Sequence, residues 1–338
     1  MLKVGVMGAG KVAERMHLPG FAKIKGCKVT AIADVNVKLA EEIAGRFGIA
    51  EVHRDWKKML KTADIDAVSV CTPNFLHCPM VVGSAKAGKH VLVEKPIATS
   101  MQEVKRMVTA ARKARRILMV EQPQRFRPAH NVMRALLAKK IVGKVNHVIG
   151  RFGHGGPEGW APDSNWFFDP KRAFAGAMAD LGIHLVDLMR HMVPTPVAEV
   201  CGMVATVQRK GRTKVEDLGA LTFRYKDGSL GQACASWCLK PGGMRIEVSG
   251  SKGVIVLDQG EVTVYASKKG SWKPEITKPK IPAKNKDGTP WQYFVKCVKN
   301  RRKPFIDGVE GGRSLEVLVA GFKSHKTGRH VKLPLIKL

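Results

Sequence analysis

The feature that most narrows what this chain can fold into is a glycine-rich turn near its start, set between an apolar strand and a helix. Lys3–Met7 reads as a short buried strand, and Gly8-Ala9-Gly10-Lys11-Val12-Ala13 leads from it into a helical pattern over Lys11–Ile24. In this G-x-G-x-x-A arrangement the first glycine permits a tight turn and the second lets a pyrophosphate approach the backbone. The small Ala13 lets helix and strand pack closely. The helix N-terminus then faces the phosphates, so Gly8, Gly10, Lys11 and Val12 are the candidate phosphate contacts. Asp34 closes the next strand, Lys28–Ala33, where an acid bonds both ribose hydroxyls of a dinucleotide and repels a 2′-phosphate. The expected cofactor is NAD, and Lys38 nearby keeps NADP open.

The rhythm of the first third agrees with that turn. Apolar runs at Ala67–Cys71, His90–Val93 and Ile117–Val120 alternate with helical patterns at Lys38–Phe47, Asn74–Ala87 and Met101–Ala114. Strands apolar throughout, alternating with helices, predict a doubly wound parallel sheet of Rossmann type. Gly48 and Gly88 stand where left-handed C-caps are wanted, and Ser100 with Glu103 reads as a capping box. After Glu121 the pattern changes. A helix at Ala129–Lys139 and a strand at Lys144–Arg151 precede a Gly/Pro-rich segment, and a helix at Asp180–His191 follows. Strands are then expected near 199–207, 218–225, 230–236, 244–249, 253–257 and 262–265, some joined by tight turns such as Lys226-Asp227-Gly228-Ser229. The fold class is α/β with a C-terminal α+β domain carrying a large, mostly antiparallel open sheet. The domains are read as 1–121, which binds NAD(P), and 122–338, which binds substrate and oligomerises. Helices at Trp291–Lys299 and Gly312–His325 close the chain, the last packing back on the first domain.

Composition excludes several classes. A chain of 338 residues exceeds what one core usually serves, and it has no apolar run near the ~20 residues of a membrane span. No signal peptide precedes the first strand, so a cytoplasmic protein is expected, with no membrane partner. The seven cysteines are scattered without paired Cys-x2-Cys spacing, which argues against a disulfide framework and against metal. Lysine and arginine number 58 against 28 acids, a net charge of +30. That favours anionic partners through long-range attraction. The basic residues are spread over helix faces, a Ser267–Asp287 loop and Lys299–Lys303, without a nucleic-acid-binding motif, so a solvated basic surface is preferred over a specific nucleic-acid site.

Two further elements carry chemistry. Glu94-Lys95-Pro96 directly follows the strand His90–Val93, and ligands of open α/β sheets bind beyond the carboxyl ends of strands. A lysine there is, by itself, more often a solvated turn residue. Asp180-Leu181-Gly182-Ile183-His184 places a carboxylate and an imidazole at i and i+4 on one helix face, although such a pair alone is usually a surface contact or a cap.

Taken together these pieces resemble the glucose–fructose oxidoreductase/inositol dehydrogenase (Gfo/Idh/MocA) family over nearly the whole chain. The resemblance rests on Gly8–Ala13, Ala33-Asp34, Cys71-Thr72-Pro73-Asn74 with His77, Glu94-Lys95-Pro96, Arg125-Phe126, Trp166–Pro170 and Asp180–Asp187. Ala175-Gly176-Ala177 departs from the glycine triplet common in the family. The resemblance implies that Thr72, Asn74 and His77 line the cofactor and that Glu94 sits by the nicotinamide ribose. It also implies a cis Lys95–Pro96 peptide, against ~5–6% of X-Pro bonds in general. Lys95 would hold the reacting hydroxyl, His184 would act as general base or acid because imidazoles titrate near neutrality, and Asp180 would orient the imidazole or bind a neighbouring hydroxyl. The implied reaction is hydride transfer between nicotinamide and a secondary alcohol or ketone of a sugar, inositol or related polyol. Arg125, Trp160, Asp163 and Trp166 are candidates for gripping it, a core role being equally open for each tryptophan, and the positive charge leaves an anionic sugar open. The Gly153–Gly159 loop, with His154, reads as a pocket rim or an ordinary solvent loop. A homodimer or homotetramer is expected through a helix-free face of the second sheet. The rival reading is a non-catalytic dinucleotide-binding sensor, which has no need of Lys95, Asp180 and His184.

Overall fold

A computed structural model describes residues 1–338 apart from Asp163, Lys269 and Gly270. The chain forms two compact units, residues 1–122, 287–312 and 338 in one and residues 123–286 and 313–337 in the other.

In the first unit the apolar runs become β1 (Leu2–Met7), β2 (Cys27–Ala33), β3 (Glu51–His53), β4 (Ala67–Val70), β5 (His90–Val93) and β6 (Leu118–Val120). All pair in parallel in the order β3-β2-β1-β4-β5-β6. The order reverses between β1 and β4, which opens a crevice at the carboxyl edge where such sheets bind ligands. On the β1–β2 side a dry cluster joins Val6, Ala9, Ala13, Ile32 and Ile43, each at most 1% exposed. Enlarging Ala13 in so closed a place costs about 1–3 kcal/mol. The helix after the glycine turn contains a π turn at Ala13–His17 before Leu18–Ala22. The cap at Ser100 forms, with Glu103 N–H donating to Ser100 Oγ at 3.3 Å. The Glu103 carboxylate, however, accepts from Thr99 N–H and Oγ1–H, one residue earlier than a capping box requires.

The second unit is built on β7 (Val145–Gly153), β8 (Val197–Ala205), β9 (Leu218–Tyr225), β10 (Leu230–Ser236), β11 (Gly243–Gly250), β12 (Gly253–Asp258), β13 (Glu261–Ala266), β14 (Glu275–Thr277) and β15 (Val331–Lys332). Their order is β14-β13-β12-β11-β7-β10-β9-β8-β15, antiparallel except between β7 and β10. Burial alternates along β9, with Leu221, Phe223 and Tyr225 inside and Ala220, Thr222 and Arg224 outside, as expected of a sheet covered on one face. The helix carrying Asp180 and His184 seats on β7 and β10. It begins as a π turn at Met178–Gly182 and continues as Ile183–Met192. Glycines make the close approach possible: a Cβ at Gly150 of β7 would meet Leu185 Cδ1 at 2.7 Å. Among the described residues no helix is long and apolar enough to cross a membrane.

Candidate active site

The glycine turn has the geometry its sequence demands. Gly8 has φ +97°, and a Cβ there would lie 2.8 Å from the Cys71 carbonyl oxygen, so only glycine fits. Gly10 is exposed and a Cβ on it would meet no described atom within 4 Å, leaving open space over the backbone. Asp34 fixes the turn from β2: Oδ2 accepts Ala9 N–H at 2.7 Å and Oδ1 accepts Asn36 N–H at 2.8 Å. Lys11 lies exposed, 3.2 Å from Glu14, and Val12 stands beside it at the head of the helix.

Across the carboxyl edge, Cys71, Glu94 and Glu121 follow the ends of β4, β5 and β6. His17 is fully buried between them, with Nδ1 2.8 Å from Ser69 Oγ and Nε2 2.8 Å from Glu94 Oε1. Burial alone would depress this imidazole, but the Cys71 sulfur and the Glu94 carboxylate outweigh it and raise its proton affinity well above the usual value. Lys95 is half-buried, its peptide to Pro96 is cis, and its N–H donates to Glu94 Oε2 at 3.1 Å. His77 is buried, with its two ring nitrogens 2.9 Å from the Pro96 and Thr72 carbonyls. Burial lowers its proton affinity first of all, and because both partners are carbonyl acceptors, a neutral ring donates its one N–H to only one of them. Thr72 Oγ1 reaches Met80 Sδ at 3.4 Å and Asn74 is buried.

The second unit gathers the other set. Asp180 and His184 are each 7% exposed on one helix face. Asp180 Oδ2 accepts from Trp237 Nε1–H at 3.0 Å and lies 3.2 Å from His154 Nε2. His154 Nδ1 accepts Gly156 N–H at 2.9 Å, so a neutral His154 carries its proton on Nε2 and points it at Asp180. The loop holding His154 is thereby tied back to the helix. The start of the helix is clamped by Glu216, which accepts Gly176 N–H and Met178 N–H at 2.9 Å each, and burial pushes its carboxyl up to about 7. A Cβ on Gly176 would stand 1.9 Å from the Glu216 carbonyl oxygen, while Ala175 and Ala177 are accommodated, so the shortened glycine triplet keeps the one glycine this packing requires.

Of the residues expected to grip substrate, Arg125 is committed elsewhere. It is 3% exposed, and its Nε and Nη2 donate to the two Asp187 carboxylate oxygens at 2.6 and 2.8 Å. Trp160 and Trp166 are half-buried and pack on Phe167, edge-on at 5.1 Å and stacked at 3.9 Å. Asp163 lies outside the described residues.

Residues 2–122 match the family described as the oxidoreductase family with an NAD-binding Rossmann fold, and residues 130–256 match the GFO/IDH/MocA C-terminal domain. The chain belongs to the GFO/IDH/MocA oxidoreductase family. It is 29% identical to the myo-inositol 2-dehydrogenase of Thermotoga maritima and 26% identical to the scyllo-inositol 2-dehydrogenase (NAD(+)) of Bacillus subtilis. The first match covers 98% of both chains, and the second covers 98% of this chain and 96% of that one. The WlbA dehydrogenase of Bordetella pertussis, solved with NADH and UDP-GlcNAcA, is 25% identical with a TM-score of 0.85, over 99% of both chains. The cofactor of this family member is NAD. The first unit fits it: Gly10 leaves clear the space a pyrophosphate needs, and the Asp34 carboxylate is held beside the turn.

Of the residues that support this site, the sequence reading names His154, as part of a pocket rim or solvent loop, and misses His17, Glu121, Glu216 and Trp237. Glu121 carries the plainest signal, an acid directly after an apolar strand, as Glu94 is. His154, Glu216 and Trp237 reach Asp180 and its helix only through non-local contacts. Among the described residues no cluster of His, Cys, Asp and Glu suits a metal.

Proposed function

We propose that this family member oxidises a secondary alcohol, or reduces the corresponding ketone, of a sugar, inositol or related polyol, with Lys95 and His184 in acid/base roles. The observation that carries this reading is the Asp180–His184 pair on one face of a helix. It is buried, seated on the sheet, and Asp180 is held by Trp237 and His154. A surface pair or a cap has no need of such support. The relatives' names, inositol dehydrogenases among them, supply the substrate class.

In this reading the Lys95 ammonium holds the reacting hydroxyl and favours its ionised form. His184 takes the hydroxyl proton in oxidation and returns it in reduction. Asp180, fixed by two ring N–H donors, keeps the imidazole or a neighbouring hydroxyl in place. NAD, when bound, supplies the hydride acceptor or donor. The negative Asp34 disfavours a 2′-phosphate, so NAD is preferred over NADP. The outer face of the second sheet, lined by Ile149, Arg151, Thr222, Gln232, Arg245 and Glu247, is where a second copy would dock, and a 37 kDa species in size-exclusion chromatography would refute a dimer.

The test is a panel of neutral sugars, inositols and sugar acids with NAD or NADP, followed by NADH or NADPH absorbance, for wild type and His184→Ala. Turnover of one class, lost in the variant, is the expected result. Dinucleotide binding with no turnover of any compound would replace this reading with a non-catalytic sensor.

A further inference from the structure

The acid/base scheme above uses nothing at the end of β6. There the chain passes from Leu118–Val120 straight into Glu121, which is 3% exposed and whose Oε1 has no hydrogen-bond partner among the described residues. The parallel register pairs Val93 with Val120, and Glu121 N–H donates to the Val93 carbonyl at 2.7 Å. Neighbouring strands run about 4.8 Å apart, so Glu94 and Glu121 leave adjacent strand ends side by side. Two carboxylates so placed and shielded from water do not both hold charge, and one keeps its proton.

The donors decide which. Glu94 accepts Lys95 N–H and faces His17 Nε2, contacts that stabilise a carboxylate, whereas Glu121 Oε1 has none among the described residues. Burial first and the Glu94 charge second push the Glu121 carboxyl up to about 8, against the opposite pull of His17 and Lys95. The remaining groups nearby are accounted for. Cys71 and Ser69 of the β4 side surround His17. On the far side of β6, Asp307 caps Val309 and Glu310 N–H and pairs with Lys303 at 2.9 Å.

The sheet edge also fixes which half of a dinucleotide meets this acid. Asp34 ends β2 and takes the adenosine ribose, and the glycine turn after β1 takes the pyrophosphate. The nicotinamide half therefore lies toward β4, β5 and β6. Its ring is a cation when oxidised and neutral when reduced.

We propose that Glu121 is a positioning residue that couples a proton to the redox form of the cofactor: neutral beside NADH, and ionised to complement the positive ring of NAD. The proposal rests on NAD binding by the first unit. Ionising Glu121 improves binding of NAD relative to NADH, by about tenfold for opposite unit charges roughly 10 Å apart at an effective dielectric of about 20. NAD binding near pH 8 then releases a proton.

The experiment measures the dissociation constants of NAD and NADH from pH 6.5 to 9.5 for wild type and Glu121→Gln, with infrared spectra of the cofactor-free proteins. In wild type the NADH/NAD ratio of dissociation constants rises about tenfold with pH, while Glu121→Gln stays flat. The carboxylic acid C=O absorption of wild type at pH 7 loses the Glu121 component in the variant, while that of Glu216 remains. If the variant does not fold, proton release on adding NAD to weakly buffered wild type at pH 8 tests the same coupling, and its absence counts against it. A pH-independent ratio in wild type, an unchanged slope in Glu121→Gln, or an acid band at pH 7 that Glu121→Gln leaves unchanged would overturn the proposal alone. Binding of neither dinucleotide would overturn the NAD reading with it.

Discussion

Replacing Arg125 with methionine separates two uses of that side chain. In the structure Asp187 is fully buried and accepts three hydrogen bonds: Arg125 Nε at 2.6 Å, Arg125 Nη2 at 2.8 Å and Ser314 Oγ at 2.8 Å. Burial alone would raise the Asp187 carboxyl, but the Arg125 charge and hydrogen bonds, with help from Arg190 and Ser314, hold it below the usual range. Methionine fills most of the volume and removes both guanidinium donors, leaving a buried carboxylate with one hydroxyl donor and the more distant Arg190 charge. Breaking a buried pair from one side costs about 3–5 kcal/mol. For a unit of this size that corresponds to a fall in Tm of roughly 6–20 °C. The assay is urea and thermal unfolding followed by tryptophan fluorescence, with Arg125→Met/Asp187→Leu as the partner variant. The double variant buries no orphan charge and recovers most of the loss. An Arg125→Met protein within about 1 kcal/mol of wild type in stability, but with a greatly raised KM, would refute the ion-pair assignment and return Arg125 to the substrate.

Other outcomes follow from the same geometry. Gly10→Ala leaves stability within about 0.5 kcal/mol of wild type, because its Cβ meets no described atom, yet weakens NADH binding at least tenfold by titration; equal losses of both would contradict the cradle. Gly176→Ala drives a Cβ into the Glu216 carbonyl and loosens both N–H bonds to its carboxylate, so about 2–4 kcal/mol is lost in chemical denaturation. Asp34→Ser removes the charge that repels a 2′-phosphate and improves NADPH binding about tenfold; no change would dissociate Asp34 from cofactor choice. Asp217 is held down by the N–H groups of Val207, Arg209 and Gln208, which outweigh its burial. Like Asp187, its depressed value adds stability above the unfolded carboxyl pKa of ~3.9 that fades as pH falls through the folded value. The stability difference between wild type and Asp217→Asn in urea unfolding should therefore persist at neutral pH and close only below about pH 4.

The parts legible in the sequence are those with local signals. The glycine turn, Asp34 and the strand–helix alternation each act within a few residues, and they specify the parallel sheet and its binding edge. The antiparallel sheet is legible because its strands alternate and tight turns such as Lys226-Asp227-Gly228-Ser229 join them. Edge strands β3, β14 and β15 are too short, at three, three and two residues, to show a period. The π turns at Ala13–His17 and Met178–Gly182 leave no pattern distinct from a helix, although both sit where function is expected. Arg125 shows the limit most plainly. An arginine beside Phe126 carries the same letters whether it faces a sugar or a buried aspartate 62 residues away, and only the folded chain tells them apart. His154 is the converse, a loop histidine whose hydrogen bond to Gly156 sets the tautomer that serves Asp180.

The role given to His184 is tested most sharply by a paired measurement on His184→Asn, with NADH affinity by fluorescence titration beside turnover of the substrate found by the panel. The expected outcome is wild-type affinity for NADH and a turnover reduced by about 10²–10⁴-fold, the usual worth of a positioned acid/base. Turnover near the wild-type rate, or loss of NADH binding in step with it, would show that His184 does not move the proton.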